Sequence, residues 1–268
     1  MKLLAISDVH VRSPGNRAFV EALPAHPGDW LVLGGDVCER EDDLAFVLDT
    51  LGPRFGKLFW IPGNHELWTV PQGGPRGVER YERMVAVCRA RGVLTPEDPY
   101  VTWPGDPTTV IAPLFLLYDY SFRPDDVPRE EALAWAAEHD LVCADERLLH
   151  PDPYPTRDAW CEARCASTEA RLAALGPAVR TVLLNHFPLR RAHARLPLIP
   201  RFSIWCGTRR TEDWHVRFRA RAVVYGHLHI RRTHHDDDVR FEEVSLGYSG
   251  QWSGDASRFL RVILDEPS

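Results

Sequence analysis

The sequence predicts an α/β protein with mixed β-sheets. Three observations carry that prediction. Short apolar runs ending in polar residues or glycine recur along the chain, and helical patterns separate the first of them. The C-terminal part then carries strands with little helix between them. Apolar runs bounded by turn residues read as buried strands. Alternation followed by adjacent strands gives βαβ units first and an antiparallel addition later.

Each element follows in order. Leu3–Ser7 is a buried strand that stops at Ser-Asp, and Asn16–Leu23 has a helical pattern. Trp30–Gly34 and Leu58–Ile61 are strands flanking the helix Asp42–Leu51. A helix over Val78–Arg91 precedes the strand Val110–Ala112. Helices over Arg129–His139 and Arg157–Leu175 precede the strands Val182–Asn185 and Val223–Tyr225. The last part holds strands over Arg221–Ile230, Val239–Val244 and Phe259–Leu264, with His234–Asp238 as an exposed hairpin turn rather than a metal site. Pro/Gly clusters at Val70–Gly77, Pro96–Pro107 and His150–Pro155 bracket two helical insertions, at about 67–107 and 119–176. Both are expected as excursions from one domain spanning 1–268, the second as a cap.

Composition narrows the class. The 268 residues are 44% apolar and 26% charged, which excludes a disordered or fibrous chain. A net charge of -6 argues against a nucleic-acid coat. No run of about 18 apolar residues is present, so no membrane helix is expected. The apolar start Leu3–Ile6 is too short for a signal peptide. The six cysteines form no C-x-x-C pair and are expected to be reduced thiols in a cytoplasmic protein. Cys161 and Cys165 lie one helical turn apart and read as packing rather than a metal half-site.

Chemistry concentrates at five strand ends: Asp8-Val9-His10, Gly34-Gly35-Asp36, Gly63-Asn64-His65-Glu66, Asn185-His186 and Gly226-His227-Leu228-His229. Ligands of α/β sheets gather at the carboxyl ends of strands, so these segments are expected to converge. In an extended segment Asp8 and His10 point one way, as do His227 and His229, while Val9 and Leu228 enter the core. Asn64 and His65 point apart, which leaves His65 free for another task. Imidazole, carboxylate and amide oxygen together suit Mn, Fe or Zn rather than Ca or Cu(I).

The ordered set D-x-H, GD, GNHE, NH and GHLH resembles the calcineurin-like metallophosphoesterase superfamily. The resemblance implies a four-layer α/β/β/α sandwich of two mixed β-sheets flanked by helices. It also implies two divalent or trivalent metal ions, Mn or Fe first, with Zn also suited. Asp8, His10 and His229 would hold one ion, Asn64, His186 and His227 the other, and Asp36 both. The implied reaction is in-line attack on phosphorus, with His65 as general acid for the leaving alkoxide. Glu39 is a candidate partner orienting His65, in place of the family's aspartate, and Glu66 is a second candidate. Arg40 resembles a phosphate-binding arginine, against the alternative that Glu39 and Arg40 begin the next helix.

The resemblance extends over nearly the whole chain to an actinobacterial group that includes hydrolases removing 4′-phosphopantetheine from acyl carrier proteins. It rests on stretches such as Asn185–Arg191, Ile204–Thr208, Arg210–His215 and Val239–Tyr248. One departure stands after Tyr248, where Ser249-Gly250-Gln251-Trp252 replaces Pro-Arg-Glu-Trp and removes a basic residue. Residues 190–232 hold eleven arginines against two acids, so the segment carries +9 and the remainder -15. Such a rim, with Arg190 and Arg191 as phosphate contacts, would attract an acidic carrier protein. Trp205 and Trp214 within it read as core rather than as a seat for the pantetheine arm. The expected function is therefore a binuclear phosphodiesterase for the phosphopantetheinyl ester of a carrier protein. Competing readings are a small-molecule phosphomonoesterase or nucleotide phosphodiesterase, and an inactive metal-binding scaffold.

Overall fold

Alternate side chains of a strand leave on opposite faces, so a strand apolar at every position must be covered on both sides. That is the condition of the central strands in a computed structural model of the chain, which describes residues 1–265. Strands β1 (Lys2–Ile6), β2 (His26–Leu33) and β3 (Phe55–Trp60) run parallel, and β10 (Arg261–Asp265) pairs antiparallel with β1. The first sheet has the order β10-β1-β2-β3. The second contains β4 (Val101–Trp103), β5 (Asp106–Pro113), β6 (Arg180–Leu184), β7 (Ala220–Tyr225), β8 (Arg232–Asp236) and β9 (Val239–Glu243). Its order is β4-β5-β6-β7-β9-β8, parallel from β5 to β9 with antiparallel edges.

The register explains the layers. Leu3, Ala5, Val32, Phe59, Ile61, Ile111, Val182, Leu184, Ala222 and Val224 form one buried cluster, the core between the sheets. Their neighbours Leu4, Ile6, Leu31, Leu33, Leu58, Trp60, Leu183, Val223 and Tyr225 point outward into a second cluster. That cluster includes buried residues of the helices α1 (Asn16–Ala22), α2 (Glu41–Leu51), α4 (Gly77–Arg89) and α7 (Arg157–Ala173). The short helices α3 (Asn64–Leu67), α5 (Ala132–Ala137), α6 (Asp145–Leu148) and α8 (Trp214–Arg217) complete the set. The expected α/β/β/α sandwich of two mixed sheets is observed.

Several element expectations need correction. The strand predicted over Arg221–Ile230 ends at Tyr225, because Gly226 leads out of the sheet and His227 and His229 take left-handed backbone. The helix predicted over Arg129–His139 is a 3-10 turn, Arg129–Glu131, followed by α5. Residues 256–259 form another 3-10 turn, so the last strand starts at Arg261. The hairpin turn narrows to Asp237 and Asp238, both left-handed, while His234–Asp236 lie in β8. The segment 67–107 also contributes β4, an edge strand, so it is not purely helical. Cys161 and Cys165 pack in α7, and Trp205 and Trp214 are fully buried core residues.

Candidate metal centre

The five strand ends do converge, and the backbone there is strained rather than extended. Asp8, His10, Asp36, His227 and His229 all have positive φ, between 40° and 70°. Non-glycine residues rarely adopt that region, and such conformations cluster at functional sites. The expectation that Asp8/His10 and His227/His229 project as extended pairs is therefore wrong in its geometry. The turns divide the second pair: His229 joins Asp8 and His10, while His227 joins Asp36 and His186. Val9 and Leu228 are buried, as expected.

Two glycines make the approach of the strands possible. A side chain at Gly63 would collide with the Asp36 carboxylate, and one at Gly226 with the Asp8 carboxylate. The sheets also meet here. Ser7, following β1, pairs with Ser245, following β9, and the hydroxyls of both donate to Asp8 Oδ2 at 2.6 and 2.7 Å.

Three ligand-type groups lie together: Asp8, His10 and His229; His10, Asp36 and His65; and Asp36, His186 and His227. His229 Nε2 lies 3.1 Å from Asp8 Oδ1 and 3.2 Å from His10 Nε2. His186 Nε2 lies 3.4 Å from Asp36 Oδ2, and its Nδ1 sits 2.9 Å from the Gly34 carbonyl. Asp36 stands in two of the groups, and its Oδ1 accepts the His65 backbone N–H at 2.9 Å.

Burial and charge set the protonation of this cluster. Burial alone would raise Asp8 and Asp36, but the neighbouring histidines together outweigh it, His186 foremost with His229 beside Asp8 and with His65 and His10 beside Asp36, and hold both carboxylates well below their ordinary range. Burial opposes a charge on His186, yet Asp36 and Asp8 push it up to about 10. His229 rises to about 9 against the same opposition, through Asp8. His10 and His227 are driven down by burial, to about 4 and about 3.

Those residues fit divalent metal ions. Asn64 Oδ1, His186 Nε2 and His227 Nε2 are buried without any hydrogen-bond partner. Buried polar atoms are almost always satisfied, so three orphans around one place call for a cation. Neutral imidazole, carboxylate and amide oxygen are the donors that Mn, Fe and Zn take.

His65 is built differently. Its Nδ1 sits 2.9 Å from Glu39 Oε1, which leaves Nε2 facing the cavity. Burial opposes its charge, but Asp36 and Glu39 raise it above the ordinary imidazole value. Trp68 stacks on its ring with centroids 3.7 Å apart. Glu66 does other work: its carboxylate accepts backbone N–H bonds from Gly63, Asp36 and Val37 and ties two of the loops together.

The arginines were not brought to the site. Arg40 precedes α2, pairs with Asp42 and does not line the cavity. Arg190 is held by Glu212, Asp236 and Asp237. Arg191 lies in a neighbouring hollow, 3.9 Å from Asp125.

Four residues at the site carried no assignment from the sequence. Tyr248 stacks on His10 at 4.2 Å, with its hydroxyl 3.4 Å from His65 Nε2. Gln251 Oε1 lies 2.8 Å from His229 Nδ1 and accepts the Tyr248 backbone N–H at 2.6 Å. Trp68 and Asp145 complete the floor. Tyr248 and Gln251 follow β9, so the strand-end rule could have found them. Asp145 lies in an insertion and gives no such signal.

Comparison with known proteins agrees with this geometry. Residues 1–231 match the calcineurin-like phosphoesterase family. The chain is 49% identical to the acyl-carrier-protein phosphodiesterase PptH of Mycobacterium tuberculosis over 272 residues, covering 99% of this chain and 84% of that protein. It superposes on the crystal structure of phosphopantetheinyl hydrolase (PptH) from the same organism with a TM-score of 0.93 and 48% identity, over 99% of this chain and 96% of that one. With the family matched over most of its length and the ligand groups assembled, the chain belongs to the calcineurin-like phosphoesterases, enzymes that use divalent metal ions.

Proposed function

We propose that the protein is a two-metal phosphodiesterase that releases 4′-phosphopantetheine from an acyl carrier protein. The observation that carries this is the 49% identity, over 99% of the chain, to a protein named for acyl-carrier-protein phosphodiester cleavage. Asp8, His10 and His229 would hold one ion, Asn64, His186 and His227 the second, and Asp36 both. Bound ions of the Mn, Fe or Zn type would supply Lewis-acid stabilisation of the phosphoryl oxygens and a more acidic water.

The rest of the chemistry belongs to the chain. Water adds to phosphorus as the bond to the carrier's serine oxygen breaks. His65 Nε2 delivers the proton to that oxygen, with Glu39 at Nδ1 fixing the tautomer. Tyr248 beside His65 closes one side of the reacting space. Leu196, Ile199, Phe202 and Val142 line the same cavity and offer an apolar wall for the branched methyls of the arm. Six buried free cysteines support a reducing, cytoplasmic setting. The two insertions fit excursions of one domain.

Attraction of the carrier cannot rest on the +9 segment as a whole. Of its eleven arginines, Arg195 alone, among the described residues, has no hydrogen bond or ion pair. It stands on the loop that presents Leu198, 95% exposed, and Ile199 at the cavity mouth. Docking on that loop is apolar with one cation.

Mass spectrometry of a holo carrier protein incubated with Mn- or Fe-loaded enzyme tests the proposal. Conversion to the apo form with release of 4′-phosphopantetheine is expected. An unchanged carrier beside rapid turnover of a small phosphomonoester would sink it.

A further inference from the structure

Asn64 can offer a cation only its Oδ1, since the amide nitrogen donates and does not coordinate. The two ends of an amide differ little in shape, so its orientation is set by the hydrogen bonds around it. Here Asn64 Nδ2 donates to Asp145 Oδ1 at 2.9 Å, its own Oδ1 has no hydrogen-bond partner, and the residue lines the same cavity as Asp36 and His227. Trp68 Nε1 donates to that same Asp145 oxygen at 2.7 Å. An indole N–H is a donor only, so Asp145 Oδ1 is an acceptor whatever the carboxyl's protonation. A flipped Asn64 would set its oxygen against another acceptor in a fully buried place, which is costly.

We propose that Asp145 is a positioning residue that locks the Asn64 amide with its oxygen toward the second metal position. It does so from α6, in the second insertion, 81 residues along the chain. The carboxylate is itself held. Tyr118 donates to Oδ2 at 3.0 Å, and the adjacent Glu146 accepts from Tyr120, Trp205 and Arg157. Because Trp68 also stacks on His65, one carboxylate fixes both the amide and the platform under the imidazole. The insertion therefore completes the metal centre rather than merely covering it.

The proposal rests on Asn64 being a ligand, and its test keeps the two apart. Protein stripped by chelation is titrated with Mn, and affinity and stoichiometry are read by calorimetry and metal analysis. Asp145→Leu is expected to keep one ion and to weaken the second by about tenfold or more, the usual effect of losing a group that orients a ligand. Two milder variants guard against misfolding. Asp145→Asn keeps its own oxygen pinned by the Trp68 N–H, and Trp68→Phe keeps the Asp145 acceptor, so each single variant should bind both ions nearly as wild type does. The double variant frees the new amide to turn, and the second ion should weaken by far more than the two single effects combined. An additive cycle, or Asp145→Leu with two ions at wild-type affinity, overturns the lock. Wild-type protein binding fewer than two ions overturns the ligand assignment as well.

Discussion

The strand ends and the arginine-rich segment 190–232 both stand out in the sequence, and the fold treats them in opposite ways. At the strand ends the backbone is strained, and Asn64 Oδ1, His186 Nε2 and His227 Nε2 are buried without hydrogen-bond partners. Along the segment, seven of the eleven arginines pair with acids among the described residues, most of them supplied from elsewhere, such as Asp106, Asp125, Glu138, Glu162 and Glu169. The lesson concerns satisfaction. Folding pairs most charges, and isolated donors such as Trp60 Nε1 and Trp214 Nε1 also stay buried and unpaired; what marks the place of a ligand is several metal-donor atoms left so beside carboxylates at one point. Charge counted along the chain says little, because partners arrive from other parts of it.

Asp36 should separate the two regions most sharply. It stands in two of the three ligand groups, so Asp36→Asn should cut metal content at both positions and lower turnover more than any other single change. Metal analysis beside steady-state kinetics checks this. Full occupancy of both ions in that variant would break the assignment.

His65→Ala is expected next, with kcat lowered by roughly 10²–10⁴-fold, the usual worth of a general acid. Metal content should stay near wild type. An aryl diester with a good leaving group should lose less than the carrier substrate, because its leaving oxygen needs less help. Equal loss of metal in the His65 and Asp36 variants would make His65 a ligand instead.

Much of this was legible in the sequence. The sandwich was readable because short uninterrupted apolar runs such as Leu31–Leu33 and Val182–Leu184, closed by turn residues, fit strands covered on both faces. The convergence of Asp8, His10, Asp36, Asn64, His65, His186, His227 and His229 was readable because each follows such a run. Left-handed backbone at five residues in three of the turns was not, since none of the five is a glycine that would announce it. Asp145 stayed hidden because its role is set only by tertiary contact. The pairing of the arginines was hidden for the same reason: Arg217 and Glu169 are 48 residues apart.

Among the described residues, Arg195 is the arginine of the segment with no hydrogen bond or ion pair, and it shares its loop with the exposed Leu198. Arg195→Glu combined with Leu198→Asp should raise KM for the carrier about tenfold, a fair return for losing an apolar anchor and a charge. Hydrolysis of a small diester should not change, because neither side chain lines the metal cluster. Loss of both activities would mean that the loop shapes the cavity itself.

The smallest effect is expected at Arg217, and it is the most direct attempt to break the contrast. Arg217 is exposed, lies against the Phe218 ring and pairs with Glu169 of α7. Exposed ion pairs contribute about 0–1 kcal/mol, because solvent screens them and ordering two long side chains costs entropy. Arg217→Ala should therefore lower the melting temperature by a few degrees at most, about 2–4 °C for a domain near this size. The kcat/KM for the carrier should remain at the wild-type value. If it fell tenfold while the melting temperature held, the segment's charge would act on the substrate despite being paired. A cluster of buried, unpaired ligand donors would then no longer be sufficient to tell the functional part of this molecule from the structural one.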